Sequence, residues 1–249
     1  MASAAGTRRH PSAPLATFSN HWEFMLEVVD LECRRGDRLL FSGLSFNLEP
    51  GTLLHVRGRN GSGKTTLLRT LCGLLTPDAG DILWNGENVR RLGEDFHRDT
   101  LYFGHLNGIK SDLTASENLS VSAILDGDRA EEADILAALD QMGLTGFEDL
   151  PTKMLSQGQK KRVALARLLL SQAPLWILDE PFTALDLDAV DRLQMLIAQH
   201  VAEDGLTILT THQEVPLTSG QIRRLHLGAP QDASSLQPGD LVGDTEESA

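Results

Sequence analysis

The chain has 249 residues, enough for one large α/β domain or two small ones, and its 41% apolar and 23% charged residues are those of a globular protein, not a disordered or fibrous one. Its 22 Lys and Arg against 35 Asp and Glu give a formal net charge of −13, which argues against a nucleic-acid partner, since that requires a basic face. No run approaches the roughly 18 consecutive apolar residues of a spanning helix, and Cys33 and Cys72 are too few for a disulfide framework or a zinc site and fit a reducing compartment.

In chain order, residues 1–22 carry Arg8 and Arg9 and no acid, whereas residues 228–249 carry Asp232, Asp240, Asp244, Glu246 and Glu247 and no base. Neither end has apolar periodicity, so both read as mobile tails. Removing the +2 and −5 of these ends from −13 leaves −10 on residues 23–227. The acid-free N-terminus has the make-up of an organelle transit peptide. The other reading is an extended start ahead of Met25, which directly precedes the first strand-like run, Leu26–Leu31.

Short apolar runs with Gly or Pro at their edges predict strands at 39–48, 52–57, 81–85, 100–104, 174–179, 206–211 and 222–227. Helical patterns lie between them at 64–75, 114–125, 129–142, 156–172 and 186–203; in the last, Val190, Leu193, Ile197 and Val201 fall on one face. Strands alternating with helices predict an α/β fold with a largely parallel sheet covered by helices. The interval 104–172 has no strong strand signal and reads as a helical insert.

The residues Gly58, Arg59, Asn60, Gly61, Ser62, Gly63, Lys64 and Thr65 match the phosphate-loop pattern between the apolar run Leu53–Val56 and a helix that opens at Lys64. Glycines there let backbone N–H groups turn inward around phosphates, and the helix N-terminus adds positive potential. Lys64 would reach the β- and γ-phosphates, the Thr65 hydroxyl would bind Mg²⁺, and Thr66 continues the nucleotide-binding set. A glycine-rich turn can imitate this pattern, but the strand–loop–helix setting makes that reading poorer. Further on, Leu175–Glu180 is an apolar strand that ends in two acids. Asp179 would hold Mg²⁺ through water and Glu180 would polarise an attacking water, although strands often end in acids. Ser156 followed by Gln159 in Leu155-Ser-Gln-Gly-Gln159 predicts a capping box and hence a second anion-facing helix start. A second phosphate-facing start has no job in a simple kinase. It makes sense if two copies face each other and complete each other's sites.

The phosphate loop, the LSQGQ segment, the strand ending in Asp179-Glu180 and His212 after Leu206–Thr211 stand in this order in the ATPase subunits of ATP-binding-cassette transporters, which the chain resembles over residues 26–227. That resemblance implies a phosphate-loop NTPase core with a mostly parallel sheet, an N-terminal antiparallel β region and a helical subdomain at about 105–172. The domain would cover 25–227, between a flexible extension (1–24) and an acidic tail (228–249). It further implies an ATPase that uses ATP and Mg²⁺ and works as two copies in a head-to-tail ATP sandwich. In that sandwich Ser156, Gly158 and Gln159 meet the nucleotide of the opposite copy, and the Ala184-Leu185-Asp186 loop links the two sites. Glu180 looks like the catalytic base and His212 like the switch histidine at the γ-phosphate.

The chain departs from the family pattern at two positions. Arg35 stands where an adenine-stacking aromatic is usual, and Leu106, in Gly104-His105-Leu106-Asn107, stands where the family has a glutamine that meets Mg²⁺ and water. A guanidinium can stack on a base; leucine can neither ligate a metal nor orient water, so His105 or Asn107 substitutes or hydrolysis leans more heavily on Glu180.

The stretches 40–46, 104–110, 113–119, 176–183 and 208–213 are similar to the ATP-binding subunits of haem exporters in cytochrome c maturation. This narrower resemblance implies a peripheral subunit on the cytoplasmic face of the bacterial inner membrane, docked on integral membrane subunits of the cytochrome c maturation complex. There it would power haem delivery or release of a haem-loaded chaperone. A transporter ATPase for another substrate is the nearest alternative. A soluble cassette ATPase acting on DNA or ribosomes fits the acidic body poorly.

Overall fold

A computed structural model describes residues 24–127, 130–212 and 221–228. The expected extension and the acidic tail therefore lie outside the described residues, as does the start of the predicted helix 129–142. The chain opens with β1 (Leu26–Arg35), β2 (Arg38–Leu48) and β3 (Thr52–Gly58), followed by α1 (Lys64–Leu71) and β4 (Ala79–Trp84). After β5 (Glu87–Asn88), α2 (Val89–Leu92), α3 (Glu94–Arg98) and β6 (Thr100–Phe103) come α4 (Ala115–Asp126), α5 (Glu132–Gln141) and α6 (Gln157–Leu165). The last elements are β7 (Leu175–Asp179), α7 (Leu187–Ala202), β8 (Leu206–Thr210) and β9 (Gln221–Leu227).

In β1 the buried residues are Leu26 and Val28, then Leu31 and Cys33, so the inward alternation slips by one residue. The slip is a bulge: Asp30 has φ 47°, and the pairing with β2 is irregular between Val28 and Leu31. Gly80 is required opposite it, because a Cβ there would lie 2.5 Å from the Asp30 carbonyl oxygen. The antiparallel sheet runs β2-β1-β4-β5. The second sheet runs β6-β7-β8-β3-β9 with every pair parallel. Its strands β7 and β8 are buried throughout, which is why LWILD and LTILT read as continuous apolar runs and not as alternation.

One face of the parallel sheet joins α1 and the antiparallel sheet in a core with Leu26, Leu48, Leu67, Leu68, Ile177 and Ile208. The other face packs against α4–α7 through Leu119, Leu139, Val163, Phe182, Leu193 and Ile197. Cys33 and Cys72 are buried and free, and burial raises both thiols, that of Cys72 to about 11, so neither is a nucleophile.

The predicted helix at 64–75 is four residues shorter, since Gly73 at φ 76° takes the chain out of the helix. The predicted helix at 156–172 is α6 followed by a tighter 3₁₀ turn over Ala166–Leu169. The short β5, α2 and α3 stand in a polar stretch that carried no periodic signal.

Candidate active site

The loop 58–65 leaves β3 and enters α1. Gly58 has φ 153°, and a Cβ there would fall 2.5 Å from Ser62 Oγ and 2.6 Å from the Leu227 carbonyl oxygen, so no side chain fits. Gly63, the residue before α1, has φ 101°. Lys64 is buried and its ammonium turns back into the loop, donating to the Gly58 carbonyl at 2.8 Å and the Arg59 carbonyl at 3.4 Å. Thr65 is exposed, Thr66 half-buried, and Arg59, Asn60 and Gly61 line the outer rim. The first turn of α1 contains no acid, so the helix does not neutralise the positive end of its own dipole.

Strand register brings the acids to this loop. Val56 pairs with Thr210, and Thr210 pairs with Asp179, so the carboxyl ends of β3, β8 and β7 lie side by side. That is the ligand-facing edge of an open α/β sheet. The Thr210 hydroxyl donates to Asp179 Oδ1 at 2.8 Å and accepts the Glu180 N–H at 3.0 Å. Asp179 is 2% exposed, and its Oδ2 is buried without a hydrogen-bond partner among the described residues. A buried carboxylate oxygen with no donor is a fit for a cation, and Thr65 at the start of α1 is the complementary hydroxyl. Among the described residues, no group of three or more His, Cys, Asp or Glu converges.

Glu180 has φ 51°, a left-handed conformation uncommon for a non-glycine residue. Its side chain is 16% exposed, while that of His212 is 54% exposed. The His212 N–H donates to Glu180 Oε2 at 3.2 Å. The ring Nε2 lies 3.4 Å from Oε1 without hydrogen-bond alignment, leaving Oε1 without a hydrogen-bond donor among the described residues.

The second predicted anion site is on α6. Ser156 and Gln159 form the predicted capping box, with Gln159 N–H donating to Ser156 Oγ at 3.2 Å and Ser156 N–H to Gln159 Oε1 at 2.9 Å. Among the described residues no hydrogen bond joins this helix start to the loop 58–65. Instead α6 packs on the turn after β7: a Cβ on Gly158 would lie 3.2 Å from the Ala184 carbonyl oxygen. Asp186 Oδ1 caps α7, accepting from Ala189 N–H at 2.9 Å. Leu106 is 85% exposed beyond β6, with His105 also exposed and Asn107 half-buried. Arg35 is exposed at the β1–β2 turn, where it pairs with Arg38.

Two polar residues of the site escaped sequence reading. Thr210 bridges both acids, a role visible only once the β7–β8 register is known. Lys161, on α6, is buried with its Nζ 3.3 Å from the Glu180 carbonyl oxygen and 4.6 Å from the centroid of the Phe103 ring. Burial lowers its pKa to about 8, against the opposing effects of Asp179 and Glu180. A lysine inside a helix otherwise rich in basic residues gave no signal of burial.

The profile of the ABC transporter family matches residues 41–183. The cytochrome c biogenesis ATP-binding export protein CcmA of Dechloromonas aromatica is 54% identical over 204 residues, covering 82% of this chain and all of that protein. The protein of the same name from Nitrosospira multiformis is 54% identical over 202 residues, covering 81% of this chain and 98% of its own. Among solved structures, a putative ABC transporter ATP-binding protein from Pyrococcus furiosus superposes with a TM-score of 0.71 at 26% identity, covering 82% of this chain and 97% of that one.

Proposed function

Because the chain belongs to the ABC transporter family, we propose that it is the ATP-hydrolysing subunit of the ABC system that powers haem export in cytochrome c biogenesis. The observation that carries this reading is the 54% identity over the full length of a CcmA protein. The site geometry supports the chemistry. The loop amides and Lys64 bind the triphosphate, with the Lys64 ammonium leaving the Gly58 and Arg59 carbonyls for phosphate oxygens. Thr65 and Asp179 would hold Mg²⁺, which would offset charge on the phosphate oxygens. Glu180 accepts a proton from the water that attacks the γ-phosphorus as the bond to the β–γ bridging oxygen breaks. His212 stands beside that carboxylate and contacts the γ-phosphate.

Ser156, Gly158 and Gln159 serve the nucleotide of a second copy, so the working unit is a head-to-tail pair. Asp186, in the turn against which Gly158 packs, belongs to the link between its two sites. In this reading the transport path belongs to integral subunits on which the chain docks at the cytoplasmic face; among the described residues no helix is long and apolar enough to cross a membrane. The cargo is haem, or a haem-loaded chaperone.

Deletion of the gene followed by haem staining of c-type cytochromes tests this reading. Loss of the stained bands, restored by the wild-type chain and not by Lys64→Ala, is expected; c-type cytochromes at normal abundance in the deletion strain overturn it.

A further inference from the structure

The turn that carries Glu180 is held in an uncommon shape, with left-handed backbone at both Glu180 (φ 51°) and Ala184 (φ 65°). Non-glycine residues keep such conformations where surrounding contacts over-determine them. Two of those contacts come from one helix: α6 presses Gly158 against the Ala184 carbonyl and extends Lys161 to the Glu180 carbonyl. Lys161 also lies over Phe103, the last residue of β6, immediately before the segment that contains Leu106. A single buried ammonium carried by α6 thus reaches both the end of the strand before the loop with Leu106 and the backbone of the residue placed as base.

We propose that Lys161 is a positioning residue for hydrolysis: by holding the Glu180 carbonyl from α6, it fixes the backbone from which the carboxylate projects and makes that placement depend on the position of α6. This rests on the reading of Glu180 as the base. In the head-to-tail pair the N-terminus of α6 meets the opposite copy's nucleotide, and Lys161 lies one helical turn further on. Movement of α6 onto that nucleotide therefore reaches the carboxylate of its own chain through one side chain. Burying a cation with a single carbonyl acceptor and an aromatic face is poor economy for stability alone. An apolar side chain of equal length would fill the space as well.

The test compares Lys161→Met and Lys161→Arg with the wild-type full chain, measuring steady-state Mg-ATPase activity, affinity for a fluorescent ATP analogue and melting temperature. For Lys161→Met, kcat falls about tenfold or more, as expected for a displaced reacting group, while nucleotide affinity stays within about twofold and the melting temperature is unchanged or raised. Lys161→Arg, which keeps a donor, recovers at least part of the lost kcat. A Lys161→Met chain with wild-type kcat overturns the proposal. So does a kcat loss matched by equal losses of affinity and melting temperature, since that is the mark of a residue that only holds the fold. A wild-type chain without ATPase activity instead overturns the functional reading on which the proposal stands.

Discussion

His212 holds Glu180 by its backbone and not by its ring: the His212 N–H donates to Oε2 at 3.2 Å, and the imidazole Nε2 stands 3.4 Å from the other oxygen, out of line for a bond. The carboxylate is therefore oriented by main chain, and one of its oxygens is left for a water. Replacing Glu180 by Gln keeps the shape and the Oε acceptor but removes the base. Turnover in a phosphate-release assay should fall by about 100-fold or more, with ATP affinity retained and an ATP-bound dimer accumulating on gel filtration. Unchanged turnover removes Glu180 from that role.

Thr210 satisfies one oxygen of Asp179 and the amide of Glu180 with a single hydroxyl. Thr210→Val conserves the volume and deletes both bonds in a buried place. We expect about 1–3 kcal/mol of destabilisation in urea unfolding, together with a fall in kcat larger than any rise in KM. Wild-type kinetics would show that the strand ends alone hold the two acids.

Leu106 is 85% exposed and has no polar atom to offer. Leu106→Gln supplies an amide where the family keeps one, and an added hydrogen bond of about 1 kcal/mol in the transition state corresponds to about fivefold faster turnover. The check is steady-state ATP hydrolysis at saturating Mg-ATP. No change would mean that His105 or Asn107 already does this work.

His55 and His200 make the fold sensitive to acid. Burial lowers both to about 4 from 6.5; the Arg57 charge adds to the effect on His55, and Arg57 Nε donates to its Nδ1 at 3.3 Å, a bond available only to the neutral ring. His200 stacks on Trp176 with ring centroids 3.7 Å apart and has a buried Nε2 without a partner. In the unfolded chain these rings take up protons near their ordinary pKa, and in the folded chain they do so only near 4. The unfolded state therefore binds more protons in between, so stability is complete above pH 6.5 and is lost as pH falls toward 4. Each ring accounts for a loss on the order of 3 kcal/mol. Melting curves between pH 7.5 and pH 4.5 check this, and His200→Gln should flatten the slope.

The phosphate loop and the strand ending in Asp179-Glu180 were legible because their chemistry is written in contiguous residues whose flanks also had to be strand and helix. The Ser156–Gln159 box was legible for the same reason, its two bonds spanning a single turn. Thr210 and Lys161 were not, because their partners lie 30 and 19 residues away and meet them only through strand register and helix packing. Most strands and long helices could be read from their apolar runs. The polar stretch with α2 and α3 could not, since only Val89 and Phe96 of those turns are buried.

The capping box on α6 also restricts what that helix start can receive. The Gln159 amide is taken by Ser156 Oγ and the Lys160 amide by the Ser156 carbonyl, so Gln157 and Gly158 supply the amides left over among the described residues. Ser156 Oγ accepts one of these bonds and keeps its own hydrogen to donate. Two free amides and a hydroxyl hydrogen at one helix start are donors that an oxyanion rich in lone pairs can accept from together. A ligand gains there in proportion to the lone pairs it brings, so a phosphate gains more than a group with a single acceptor.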